Sequence, residues 1–205
     1  MNGRFFSASL VVAVVLAAAP LSVSAQDHSI GPFVADHPVL AASLDRLRSG
    51  SAAWREAVDA LAATGRRAFV VTPDKVNLRT AGGAYDFDSE ALAGAQPIAD
   101  YRSRVDTVIV VVNLALLQRM SGLPMASAEF EDDVDRIVAH EVYGHAVPFL
   151  IAGHLNGTCA DPERGKSAAD ACAIKRENVV RKELKLGQRF DYGREGLALA
   201  QRFRR

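Results

Sequence analysis

The sequence has only two cysteines, one tryptophan and no net charge. Two cysteines cannot build a disulfide framework or a four-thiolate zinc site. Lys plus Arg (24) is balanced by Asp plus Glu (24), so the chain lacks the positive field on which nucleic-acid binders rely. Beyond residue 19 no apolar run approaches the roughly 20 residues of a bilayer span. Val108 to Val112 is long enough only for a buried strand. Internal repeats and low-complexity segments are also lacking. What remains is a globular mixture of 205 residues, 49% hydrophobic and 23% charged. That much apolar surface excludes disorder over most of the chain.

Part of the hydrophobic share is an address. Arg4 precedes an apolar run from Leu10 to Ala19, Pro20 ends it, and Val23-Ser24-Ala25 has the small-residue pattern of a signal-peptidase site. Residues 1–25 are therefore expected to be a cleaved signal peptide. Residues 26–205 are then one domain, secreted or periplasmic, monomeric and without a stable membrane anchor. In an oxidising compartment Cys159 and Cys172, with 12 residues between them, are expected to form a disulfide. A loop of that size is worth about 3 kcal/mol by loop entropy.

Along the mature chain, residues 26–36 read as a mobile leader. Helices are expected over 38–48 and 54–63, the second with Trp54, Val58 and Leu61 on one stripe. Strands are expected at 68–71 and 108–112, loops and hairpins over 74–104, and a short helix over 113–120. A long helix follows from about Ser127 to Phe149. Its acidic start, Glu129, Glu131, Asp132 and Asp133, reads as solvated and suited to the helix dipole. Phe130, Val134, Ile137 and Val138 form a core-facing stripe, and Glu141 falls on its continuation.

The chemistry concentrates at His140-Glu141-Val142-Tyr143-Gly144-His145. In H-E-x-x-H two histidines four residues apart share a helix face and hold zinc, with the Glu as base. Here they are five apart, which on an α-helix separates them by about 140° rather than about 40°. A π-type turn returns such residues to one face, and Gly144 is a permissive host for it. The expected reaction is metal-assisted hydrolysis, with Glu141 as the general base toward a zinc-activated water. A third ligand is still needed, and Glu177, Asp170 and His154 are the candidates. Oxyanion donors come from Tyr192, Tyr143 or Arg181.

The H-E-x-x-G-H form resembles the zinc motif of the dipeptidyl peptidase III family. A longer likeness covers about residues 107–193. Glu177-Asn178-Val179-Val180-Arg181, followed by Gly187, Arg189 and Tyr192, resembles the E-N-x-x-R … R-x-x-Y tail of the NleD-like (M91) effector metallopeptidases and related toxin zincins. The order of strand, histidine helix, loop and second helix is also similar. The extra residue between the histidines departs from that family. The resemblance implies an α+β zincin-like metallopeptidase domain, with a small sheet and a long metal-binding helix. It implies one zinc ion held by His140, His145 and Glu177, with Asn178 and Arg181 orienting the ligands. Tyr192 then assists Glu141, and the substrate is a protein or peptide. Two other readings stay open: a non-catalytic exported binding domain with a zincin fold, and a zinc amidase acting on cell-wall peptides.

Overall fold

The computed structural model describes residues 28–75, 79–80, 83–84, 91–155 and 166–189; the side chains of 75, 79–80, 83–84 and 166–170 lie outside that description. Strands β1 (His28–Ile30) and β2 (Phe33–Ala35) open the fold. Helices α1 (Pro38–Gly50) and α2 (Ala52–Ala62) follow, then β3 (Arg67–Val71). Next come a short hairpin, β4 (Arg79–Thr80) with β5 (Gly83–Ala84), and the strands β6 (Ala93–Ala99) and β7 (Val105–Val112). The rest is helical: α3 (Leu114–Ser121), α4 (Ala128–Val138), a π segment (Ala139–Ala146), α5 (Val147–Ala152) and α6 (Lys166–Glu183). The architecture is α+β.

The main sheet has the order β1-β2-β3-β7-β6. β2, β3 and β7 are parallel, and the flanking pairs β1–β2 and β6–β7 are antiparallel. The Val-Ile run of β7 is buried from Val108 through Val112, as a central strand covered on both faces requires. Val108, Val110 and Val112 join the main core with the helices, while Ile109 and Val111 pack with Val71 on the opposite face.

The expected leader is instead two strands. Phe33 and Ala35 are fully buried, and β2 pairs in parallel with Ala68 to Val70. Elements of three residues are too short to show periodicity. They exist because Gly31, at φ +61°, turns the chain tightly and because β3 offers its edge.

Local rules account for the helix starts. Ser51 Oγ accepts from Trp54 N at 3.0 Å, Asn113 Oδ1 from Leu116 N at 2.9 Å, and Ser127 Oγ from Phe130 N at 3.2 Å. Trp54, Val58 and Leu61 are all buried, as their spacing predicts. The acidic start of α4 is only partly solvated. Asp133 is 4% exposed and bonds Arg136 at 2.5 Å, and Asp135 receives both Nε and Nη2 of Arg46 at 2.9 Å. Among the described residues, no helix is long and apolar enough to cross a membrane. Residues 1–25, expected to be a signal peptide, lie outside the described part.

Candidate metal centre

α4, the π segment and α5 form one uninterrupted helical stretch, with the wide turn placed at the histidines. The amide of Val147 reaches back five residues to the carbonyl of Val142. Two sequence features favour the widening here. Pro148 lacks an amide for the ladder, and its ring crowds the carbonyl four residues earlier, so a looser turn before it relieves the clash. Gly144 lets α6 approach closely: a Cβ at that position would lie 3.0 Å from the Cβ of Ala173 and 3.2 Å from its carbonyl oxygen.

The π turn brings the two histidines together. His140 Nε2 and His145 Nε2 are 3.2 Å apart, with the rings edge to face at 86°. Two nitrogens each ~2.0–2.1 Å from one tetrahedral ion would stand about 3.3 Å apart. The separation of the pair is close to that value. His140 is buried and His145 partly so. Glu141 is partly buried as well. The buried stripe runs Phe130, Val134, Val138, Val142 and Ala146. Glu141 thus lies beside the core rather than within it, because the wide turn rotates it off the stripe.

Glu177 is fully buried, and its Oε2 accepts from Nδ1 of His140. This is the ring nitrogen opposite the converging pair. With Nδ1 as donor, Nε2 carries the lone pair, the tautomer a metal ligand needs. Glu177 was expected to be a ligand. Its geometry is that of the carboxylate that orients a ligating histidine from behind. Its other oxygen accepts from Arg181 Nη1 at 2.7 Å, and Arg189 Nη1 stands 3.8 Å from Oε2. Burial alone would push this carboxyl up. The hydrogen bonds and charges of His140 and Arg181 outweigh it and hold the carboxyl below the usual range.

The residues of the E-N-x-x-R segment divide the work. Arg181, itself buried, grips Glu177 and also donates Nε to the carbonyl of Gly187 at 2.8 Å. Asn178 clamps the backbone of Arg189 on both sides, donating to its carbonyl at 2.6 Å and accepting from its amide at 2.8 Å. Arg136 Nε donates to the carbonyl of Leu186 at 2.9 Å. Three side chains thus fasten residues 186–189 against α4 and α6. Arg189 was quoted from the sequence as part of the R-x-x-Y likeness but without a role, and Arg136 was not singled out.

The other candidates divide. His154 is exposed and belongs to an isolated bridge with Arg104 at the start of β7. The side chain of Asp170 and all of Tyr192 lie outside the described residues. So does Cys159; Cys172, on α6, is not a free thiol. Among the described residues, no group of three His, Cys, Asp or Glu converges as a ligand set. No family model, no curated protein and no solved structure matches the chain. The family likeness therefore stands on the motif residues themselves.

Proposed function

We propose that the chain is an exported zinc-dependent metallopeptidase of zincin type. The observation that carries this reading is the convergence of His140 and His145 Nε2 at 3.2 Å across a π segment that contains Glu141. His140 and His145 are two of the zinc ligands. The third is assigned to Asp170. Position 170 lies one turn before Ala173, on the helix that packs against Gly144, and Glu177 is already committed to Nδ1 of His140. A zinc ion held there supplies Lewis acidity toward a water and a substrate carbonyl.

The chain's own groups do the rest. Glu141 takes the water proton on its carboxylate and returns it to the leaving amine. Glu177 holds the His140 ring, Arg181 keeps Glu177 charged, and Arg189 stands beside it. Tyr192 is assigned as donor to the developing oxyanion, and it follows the clamped segment by three residues. β6 packs against the π segment and is the last strand of the sheet order, so its outer edge is suited to align an extended peptide.

Glu141→Gln should retain zinc and lose hydrolysis of a mixed peptide library by 100-fold or more, ~3 kcal/mol of barrier. Undiminished turnover in that variant would contradict the mechanism. Cell-wall peptides cleaved in preference to unfolded proteins would move the assignment to an amidase. The histidine contact at 3.2 Å also suits a second reading, a ring-to-ring hydrogen bond in a non-catalytic domain. Under that reading zinc never reaches one per chain.

A further inference from the structure

A cavity lies on the same helical stretch, and none of His140, Glu141 or His145 lines it. It is a cleft open to solvent between α2, the π segment, α5 and α6, with a volume of about 320 Å³, the lower end of small-molecule sites. Ala57, Val147, Pro148 and Ile151 form apolar walls, and Tyr143 and Arg176 bring the polar groups. Ile151 is an exposed large apolar residue, 46% accessible, on that wall.

The polar pair is unbalanced. Arg176 is partly buried, and among the described residues no carboxylate pairs with it. Burial pushes its guanidinium down, and the hydroxyl of Tyr143 is the one group nearby that opposes the shift. The Tyr143 phenol lines the same cavity and can donate its O–H there. Glu56 and Glu183 act on Tyr143 from a distance, but Glu183 is already engaged by the hydroxyl of Ser51 and the amide of Ala53. The tyrosine ring itself is held in place, stacked 6.0 Å from Trp54.

A cation drawn out of water without a counter-ion is costly, and an incoming anion relieves that cost. One guanidinium beside one phenol matches a single carboxylate. A dianion such as phosphate would bring a second charge against apolar walls. We propose that this cavity binds a small monocarboxylate with a compact apolar body. The carboxylate sits on Arg176 and the Tyr143 hydroxyl, and the body rests against Ala57, Val147, Pro148 and Ile151. The inference is independent of the peptidase reading, because it uses neither the histidines nor zinc.

The test is calorimetric titration of the purified mature chain with octanoate, with octylamine as a same-length cation, and with N-acetylphenylalanine as a mimic of a peptide terminus. Octanoate should bind saturably in the low millimolar range or below, and octylamine at least tenfold more weakly. Arg176→Gln should weaken octanoate roughly tenfold. Ala57→Phe, which fills the cavity and leaves Arg176 in place, should abolish binding; circular dichroism checks the fold of both variants. Tighter binding of N-acetylphenylalanine would identify peptide termini as the source of the carboxylate, and tighter binding of octanoate free fatty acids. Equal binding of octanoate and octylamine would overturn the proposal. So would equal binding by the wild type and Arg176→Gln, or no saturation at all.

Discussion

At the scale of single residues, the Glu177 carboxylate is held from several sides. It has no exposed surface and is shared among His140, Arg181 and Arg189. Glu177→Gln keeps the shape and removes the charge, leaving Arg181 buried beside a neutral amide. The expected loss is about 3–5 kcal/mol of stability, with zinc affinity lowered 10–100-fold if the ring loses its orienting partner. Thermal unfolding and chelator competition read the two effects separately. Asp36 supplies a pH prediction away from the site. Its carboxylate accepts from the amide and hydroxyl of Thr72 at 3.0–3.1 Å, tying the end of β2 to the end of β3. Burial nevertheless pushes its carboxyl up, against those bonds. The folded state thus holds this proton longer than the unfolded chain does. The residue's contribution is greatest at low pH and declines as pH rises from about 4, the ordinary aspartate value, through the raised folded value. Relative to Asp36→Asn, the wild type should lose stability over that window, as denaturant midpoints measured at successive pH values will show.

At the scale of elements, the π segment decides whether the motif works. The five-residue spacing of the histidines already requires a departure from α geometry, and Gly144 marks a suitable place for it. Pro148 is a further legible signal, since it removes a rung of the ladder one turn downstream. Spacing could not reveal that α6 packs onto Gly144. That contact joins residues 29 positions apart in sequence, with a Cβ at Gly144 meeting Ala173 at 3.0 Å. Gly144→Ala should therefore push α6 away and cost roughly 1–3 kcal/mol. Combining it with Ala173→Gly removes the facing methyl and should recover part of both stability and zinc binding. Lack of recovery in the double variant would mean that the glycine is needed for its backbone rather than for the approach. The role of Glu177 was hidden for a related reason. The motif predicts a carboxylate on the second helix, but which ring nitrogen it meets depends on how the two helices pack.

At the scale of the whole molecule, the long apolar stripes were legible and the short strands were not. Trp54, Val58 and Leu61 on α2 and the Val-Ile run of β7 declare themselves by period and by β-branching. β1, β2 and β6 do not: two have three residues, and β6 reads Ala-Gly-Ala-Gln-Pro-Ile-Ala, poor in strand formers. Their order comes from the strands they pair with: β2 from β3, β6 from β7, and β1 in turn from β2. The expectation of export rests on residues 1–25 alone. Expression with the full N-terminus should release protein beginning at Gln26, as N-terminal sequencing will show. A mature chain retaining residues 1–25 would contradict that reading. The central claim is that His140 and His145 together hold one metal ion. Zinc-edge X-ray absorption on the metal-loaded mature protein tests it most directly. The account predicts one zinc per chain with two imidazole nitrogens at about 2.0 Å and no sulfur ligand. Zinc bound below stoichiometry, or a coordination sphere without paired imidazoles, would contradict it.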